Sequence, residues 1–165
     1  MKISFLENEV WWGTGVVLAK DMPFDKNTDK KMGFINPEYS LGASNQVTTM
    51  FLSNKGRYIW INEPFDVHIK DGIFNFSTDN LELIEAGNCL SDAYRAVKDK
   101  YFPFKGDPIE SKFFATAQYN TWIELMYNQN QKQILEYARK IVELGFKPGI
   151  LMIDEGWQQN YGMWD

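Results

Sequence analysis

The strongest constraint on the fold is a helical pattern that lies between two short apolar runs in the second half of the chain. Residues 129–144 repeat apolar side chains at helical spacing, and Gly145 followed by Pro148 marks the end of that helix. The runs 113–119 and 149–153 have the apolar character of strands buried on both faces. Because parallel strands need a long crossover, this order predicts a βαβ unit in a parallel sheet.

The first half of the chain has a different period, with short strand-like runs separated by turn residues. Two turn predictions are the hairpin loop Ser53-Asn54-Lys55-Gly56 and a type I′ turn at Asp71-Gly72. The predicted strands are residues 10–18, 47–52, 57–61, 65–70 and 73–77. Several short strands joined by regular turns predict an antiparallel β-sandwich.

The two patterns predict two domains in a chain of mixed fold class. Residues 1–108 are expected to form the N-terminal antiparallel β-sandwich, with a terminal helix that is capped by Asn88 and ended by Pro103, and a linker over residues 102–108. Residues 109–165 are expected to form the first βαβ unit of a (β/α)8 barrel. Such a barrel needs about 250 residues, so only its first two strands fit and the barrel is expected to be incomplete in this chain.

Composition excludes several classes of function. The net charge of −5 and the absence of a basic run argue against nucleic-acid binding. One cysteine, Cys89, cannot form an intrachain disulfide, and one histidine, His68, makes a zinc site or a Ser-His-Asp triad improbable. No cofactor or metal is expected. The absence of a signal-peptide or membrane-spanning run predicts a cytoplasmic protein without membrane contact.

The end of the second parallel strand carries the residues best suited to bind a ligand. Asp154 follows the strand directly, and Trp157 and Trp164 come shortly afterwards, with Tyr161 between them. Ligands bind beyond the carboxyl ends of parallel strands, carboxylates accept hydrogen bonds from hydroxyls, and aromatic rings offer flat apolar faces. These properties together predict a sugar site. The alternatives are that Asp154 caps a loop or helix and that the aromatic residues only pack.

Three further residues take part in this interpretation. Glu155 is a weaker candidate acid, because strand alternation turns it away from Asp154. Trp122 and Asn120 lie at the end of the first parallel strand and are expected near the same rim, although Asn120 could equally start a turn. Glycoside hydrolysis needs two carboxylates on opposite sides of the scissile bond, which adjacent residues cannot supply. No catalytic residue is therefore predicted within this chain.

Several segments together resemble the N-terminal part of glycoside hydrolase family 31. They share the order and spacing of that family's motifs along nearly the whole chain. They are residues 45–60, Glu63-Pro64-Phe65, Gly87-Asn88, Asp92-Ala93-Tyr94-Arg95, Lys100-Tyr101-Phe102-Pro103, and 146–165 with Ile153-Asp154-Glu155-Gly156-Trp157 and Tyr161-Gly162-Met163-Trp164. The resemblance implies a β-sandwich, then a (β/α)8 barrel, then smaller β domains. It also implies hydrolysis of α-linked sugars with retention of configuration.

The same resemblance implies roles for individual residues. Asp154 matches the aspartate of the second barrel strand, which binds hydroxyls of the sugar in the −1 subsite. Trp157 matches an aromatic lining residue, and Trp122 lies near the same subsite. The nucleophile and the acid/base are aspartates on later barrel strands and have no counterpart here. The form Asp-Glu-Gly-Trp is closer to Asp-Asp-Gly-Trp versions than to the common α-glucosidase pattern, so glucosides, galactosides, xylosides and sulfoquinovosides all remain open as substrates.

The sequence thus favours the N-terminal part of a retaining α-glycosidase, with an α-linked oligosaccharide or glycoside as its ligand. We expect the chain to be a fragment, because it ends inside a motif at Asp165. The alternatives are a non-catalytic carbohydrate-binding β-sandwich module, a degenerate glycosidase-like protein and a structural protein. Two parallel strands without further sheet leave open edges, so residues 110–165 are expected to pack poorly without the remainder of the barrel or another chain.

Overall fold

The structure is a computed structural model that describes residues 1–39, 46–158, 160 and 163. The chain divides into two compact units, Met1–Lys105 and Gly106–Asp165. We call these the N-terminal unit and the C-terminal unit and describe each one separately. Secondary structure is mixed, with two four-stranded antiparallel sheets in the first unit and a two-stranded parallel sheet in the second.

The N-terminal unit contains eight strands and one α-helix among its described residues. The strands are β1 (Lys2–Ser4), β2 (Trp11–Gly15), β3 (Lys30–Gly33), β4 (Val47–Ser53), β5 (Arg57–Ile61), β6 (Asp66–Lys70), β7 (Ile73–Phe76) and β8 (Leu81–Glu85), and the helix is α1 (Leu90–Tyr101). One sheet has the order β1-β7-β6-β3 and the other β2-β4-β5-β8. Every pairing in both sheets is antiparallel, consistent with the predicted β-sandwich.

Both sheets contribute to one buried core. Phe51 and Ile59 come from the second sheet, and Val67 and Phe74 from the first, and all four side chains are fully buried in the same cluster. On β6 the buried Val67 and Ile69 alternate with partly exposed or exposed residues, as a strand with one face in a core requires. The strand at this position and the turn at Asp71-Gly72, where both residues have positive φ, were predicted from the sequence.

The first predicted strand is wrong in its second half. Residues 10–18 were expected to be continuous strand, but β2 ends at Gly15 and a 3₁₀ helix follows over Val16–Asp21. The pairing of β2 with β4 shifts register between Gly13 and Gly15, and Thr14 has a φ of 65°. This left-handed residue turns the backbone out of the ladder, which overrides the strand preference of the two valines that follow.

The N-cap of helix α1 lies one residue later than the predicted cap at Asn88. Cys89 is the N-cap residue, and the carboxylate of Asp92 accepts hydrogen bonds from the Asn88 and Cys89 amides at 2.9 and 3.2 Å. The helix buries Ala93 and Val97 in a second cluster with Tyr58 of β5. It therefore packs on residues of the second sheet that lie outside the main core cluster.

The C-terminal unit contains the predicted strand, helix and strand in parallel arrangement. Its elements are α2 (Lys112–Ala115), β9 (Gln118–Asn120), α3 (Trp122–Leu125), α4 (Gln131–Glu143) and β10 (Ile150–Met152). β10 pairs with β9 in parallel, with Asn120 opposite Met152. Asn130 caps α4, since its side-chain oxygen accepts a hydrogen bond from the Gln133 amide at 3.1 Å, and Gly145 follows with a φ of 80°.

The strand predicted over residues 113–119 is wrong at its start. Phe113 and Phe114 lie in α2, and only Gln118–Asn120 is strand. The predicted burial on both faces is also wrong, because β9 and β10 carry only partly exposed and exposed residues. A short apolar run does not distinguish strand from helix by its periodicity, and two strands alone have no neighbours that could cover both faces.

Candidate functional site

The parallel pairing of β9 and β10 brings the residues that follow their carboxyl ends together. Asn120 is the last residue of β9, and Asp154 lies two residues beyond the end of β10. The Asn120 side-chain amide donates a hydrogen bond to Asp154 Oδ2 at 2.6 Å. The two residues therefore form a polar pair at the edge of the sheet where ligands of parallel sheets bind.

Two donors hold the carboxylate of Asp154. The backbone amide of Glu155 donates to Oδ1 at 2.8 Å, and the Asn120 amide donates to Oδ2. The Glu155 hydrogen bond, followed by that of Asn120, lowers the pKa of Asp154 below its ordinary value, so the side chain is ionised at neutral pH. An ionised carboxylate has about four lone-pair positions, and each oxygen of Asp154 uses one of them here. Each oxygen can thus accept a further hydrogen bond.

Asn120 starts a turn, as one of its two interpretations from the sequence allowed, and it also contacts Asp154. Its side-chain oxygen accepts a hydrogen bond from the Trp122 amide at 2.7 Å, which is a turn of the type that Asn commonly starts. Its side-chain nitrogen donates to Asp154. Because the turn fixes the side-chain oxygen of Asn120 against the Trp122 amide, the side-chain nitrogen points to the Asp154 carboxylate.

Behind Asp154, the buried Thr121 is hydrogen-bonded to the partly exposed Gln129. Thr121 is 0% exposed, and its hydroxyl accepts a hydrogen bond from the Asp154 amide at 3.1 Å and donates one to the side-chain oxygen of Gln129. The Gln129 side-chain nitrogen donates to the backbone oxygen of Glu155. Sequence reasoning missed both residues, because a threonine and a glutamine eight positions apart in irregular segments carry no periodic pattern.

The predicted aromatic residues differ in their surroundings. Trp122 is partly buried, and its ring meets the ring of Tyr127 edge to face with 4.9 Å between centroids. Trp157 is 52% exposed and follows Asp154 by three residues. Trp164 and Tyr161 lie outside the described residues. The backbone of Trp122 is linked to Asp154 through Asn120, and the predicted contact of its ring with a sugar stays a prediction.

Two other side chains of reactive types, His68 and Cys89, have hydrogen-bonding partners nearby. His68 lies on β6, where its Nε2 is 2.6 Å from Asp29 Oδ1, and Cys89 is an exposed helix cap. Within the described part of the chain, no three His, Cys, Asp or Glu side chains lie close enough together to hold a metal ion. None of the helices in that part combines the length and the apolar character needed to cross a bilayer.

Comparison with known proteins adds no name to this geometry. No protein-family model matches the chain, and a search of curated proteins returns no match.

Proposed function

We propose that this chain is the N-terminal part of a retaining α-glycosidase and that Asp154 binds hydroxyl groups of an α-linked sugar. In this proposal the described residues supply part of the substrate site. The nucleophilic aspartate and the acid/base aspartate come from later strands of a (β/α)8 barrel. The family resemblance in the sequence supports that division of roles.

The single observation that carries the proposal is the state of the Asp154 carboxylate. It is ionised, it is fixed by donors to both oxygens, and it lies beyond the carboxyl end of a parallel strand. Each oxygen keeps acceptor capacity, so the group can accept hydrogen bonds from two neighbouring hydroxyls of one sugar ring. A carboxylate that only capped a loop would not need the second donor from Asn120.

The exposed apolar surface of the C-terminal unit also supports the barrel. Phe114, Ile123, Val142 and Phe146 all have exposed side chains, although their type is usually buried. A two-stranded parallel sheet is rare by itself, since parallel sheets are normally covered on both faces. Further strands and helices of a barrel would cover this surface and give the site its remaining walls.

The N-terminal unit has one feature that favours the alternative of a carbohydrate-binding module. A cavity of about 430 Å³ is lined mainly by apolar groups, including Phe34, Trp60 and Pro64, with Asn62 and Glu63 beside them. Trp60 is stacked on Tyr101 with 3.7 Å between ring centroids, which holds its indole rigidly. Aromatic and planar polar side chains in one cavity suit a sugar ring, so binding here would place the ligand on the sandwich.

The test is to map sugar binding by heteronuclear NMR on the labelled chain. Methyl α-glucoside, α-galactoside and α-xyloside are added separately at millimolar concentrations. We expect chemical-shift changes centred on Asn120 and Asp154 with at least one of the sugars. Asp154→Asn should abolish these changes, because its amide group cannot accept from both donors and from the sugar, whereas the same substitution at the exposed Asp107 should leave them intact.

Activity is tested on the natural polypeptide that contains these residues. We expect hydrolysis of a 4-nitrophenyl α-glycoside with the α-anomer as first product, and a loss of at least about 100-fold in kcat/KM for Asp154→Asn, because hydrogen bonds to sugar hydroxyls strengthen in the transition state. Unchanged kinetics in Asp154→Asn would remove Asp154 from the site. Shifts confined to Phe34, Trp60 and Asn62 would instead favour the carbohydrate-binding module.

A further inference from the structure

Thr121 has an unusual place in the C-terminal unit. Among the described residues of that unit it is the only one that is buried, and it is polar. Its backbone amide donates to the Met152 carbonyl at 3.1 Å, and its hydroxyl accepts from the Asp154 amide at the same distance. The hydroxyl also donates a hydrogen bond to Gln129 Oε1, so it acts both as a donor and as an acceptor.

Gln129 extends these contacts to the next peptide. Its Oε1 accepts from Thr121 and its Nε2 donates to the Glu155 carbonyl. Thr121 and Gln129 therefore hold the backbone at the amide of Asp154 and at the carbonyl of Glu155. Between these two fixed points lies the Glu155 amide, which donates to the carboxylate of Asp154.

We propose that Thr121 and Gln129 are positioning residues that hold the Asp154 carboxylate in the orientation in which it accepts hydroxyl groups. This inference rests on the proposed function, since the orientation matters for binding only if Asp154 contacts a sugar. The pair touches no ligand itself. It acts through the 154–155 backbone and through the hydrogen bond from the Glu155 amide to Asp154 Oδ1.

The chemistry of the pair fits positioning better than general packing. Valine would fill the volume of Thr121 without a hydroxyl, yet the buried atom is a hydroxyl whose two partners both lead to residues 154–155. The buried Thr121 hydroxyl both donates and accepts a hydrogen bond, and a displacement of residues 154–155 would leave this buried group without a partner. Asn120, on the neighbouring strand, holds Oδ2 of Asp154. Thr121 and Gln129 hold the backbone whose Glu155 amide donates to Oδ1, so both oxygens of the carboxylate are restrained.

The test compares Thr121→Val with Thr121→Ser. NMR titration of the Asp154 side-chain carboxyl carbon measures its pKa, and a sugar titration measures Kd. In Thr121→Val we expect the Asp154 pKa to rise towards its ordinary value near 3.9, because the Glu155 amide is no longer held against Oδ1. We expect Kd to rise about 10-fold. Thr121→Ser keeps the hydroxyl and should restore both quantities.

A second variant keeps the test decisive if Thr121→Val does not fold. Gln129→Met removes the amide with little change in side-chain length and should raise the Asp154 pKa in the same direction. The matched control is Gln131→Met, the same change at an exposed position at the start of α4. Helix propensities of Gln and Met are similar, so the control should change neither quantity.

Two failures are distinguishable. If Thr121→Val or Gln129→Met lowers the free energy of unfolding but leaves the Asp154 pKa and Kd unchanged, the pair is structural only and the inference is overturned. If the wild-type chain shows no sugar-induced shifts near Asp154, the proposed function fails. In that case the pKa comparison still decides whether the pair holds the carboxylate, because it needs no ligand.

Discussion

The two units of this chain contain similar kinds of residues but bury them very differently. The N-terminal unit encloses aromatic and aliphatic side chains from two four-stranded sheets, and Trp11, Phe51 and Phe74 are fully buried there. In the described part of the C-terminal unit no hydrophobic side chain is buried. Its apolar residues lie on a two-stranded sheet and on helices that have too few neighbours to enclose them.

Apolar content therefore predicts a core only when enough secondary-structure elements meet around it. Two sheets facing each other cover one face of every strand, so alternation of apolar and polar residues suffices. A parallel pair with one long helix leaves most of its faces open. In the C-terminal unit the buried contacts are polar instead, through Thr121, and they serve the segment that carries Asp154.

The contrast between the two units predicts its largest change in stability for the removal of an aromatic ring from the core of the N-terminal unit. Phe74 lies within 5.3 Å, between ring centroids, of Phe5, Trp11 and Phe51. Phe74→Ala should lower the free energy of unfolding of the N-terminal unit by about 3–5 kcal/mol, through lost burial and the cavity that remains. Urea unfolding followed by near-ultraviolet circular dichroism measures the change.

The matched variant makes the same substitution in the other unit. Phe114 is 75% exposed, so Phe114→Ala should change the free energy of unfolding by no more than about 0.5 kcal/mol. If the two variants were equally destabilised, the contrast between the units would be wrong. Phe114 would then be buried in solution by contacts that the described residues do not provide.

The next largest change in stability is expected from breaking a buried ion pair in the N-terminal unit, between Arg57 and Glu9. Arg57 donates to both carboxylate oxygens of Glu9, including Nε to Oε1 at 2.9 Å, and Ser53 also donates to Glu9. Arg57→Met leaves the Glu9 carboxylate buried without its cation. We expect a loss of about 3 kcal/mol at pH 7, at the low end for such pairs because Ser53 and the Leu6 amide still donate to it.

The stability lost in Arg57→Met should depend on pH, because it arises from the ionised carboxylate of Glu9. Burial raises the pKa of Glu9, but the hydrogen bonds from Arg57, Ser53 and the Leu6 amide and the charge of Arg57 together lower it. In the wild type the stabilisation is therefore present above about pH 4 and is lost as the pH falls through the lowered folded-state pKa. Arg57→Met removes the hydrogen bond and the charge of Arg57, so the pKa of Glu9 is higher than in the wild type; acid then neutralises Glu9 in the variant and the difference in stability between the two proteins shrinks.

Urea unfolding at several pH values between 3 and 7 checks this prediction. The control is Lys100→Met, which removes the exposed contact with Glu82 at 2.7 Å in the same unit and should have a much smaller effect. If the difference in unfolding free energy between wild type and Arg57→Met did not change with pH, the lost stability could not be assigned to the charge of Glu9.

The sequence predicted those features that depend on local pattern. β5 has the predicted bounds of residues 57–61, the turn at Asp71-Gly72 is present, and α4 lies between two parallel strands. In each case a period or a turn residue of the segment itself determines the structure. Asp154 follows the second parallel strand for the same reason, because the order of elements fixes that position.

Features that depend on contacts distant in sequence could not be predicted. Val16 begins a 3₁₀ helix because the backbone turns at Thr14, which no property of the valines indicates. Phe114 lies in a helix, since a short apolar run has no preferred period. The hydrogen bond between Thr121 and Gln129 depends on how two irregular segments meet.

The smallest features in which the two units are predicted to differ are single backbone hydrogen bonds, one in each unit. The Ile150 amide donates to the Ala117 carbonyl at 3.0 Å, and the Phe24 amide donates to the Trp11 carbonyl at 2.8 Å, so the two bonds are alike in length. They differ in their surroundings, because Phe24 and Trp11 are fully buried and Ile150 is not. Native-state hydrogen exchange measures the free energy of opening for each amide.

We expect the Ile150 amide to exchange through a local opening of about 1–2 kcal/mol, since only a three-residue strand pair with open edges protects it. The Phe24 amide should exchange only when the N-terminal unit unfolds, at about 5 kcal/mol or more. Equal protection of both amides in a monomer would mean that the C-terminal unit is stable by itself and does not need the further strands of the proposed barrel. Strong protection that appeared only at high protein concentration would instead indicate that a second copy covers the open edge.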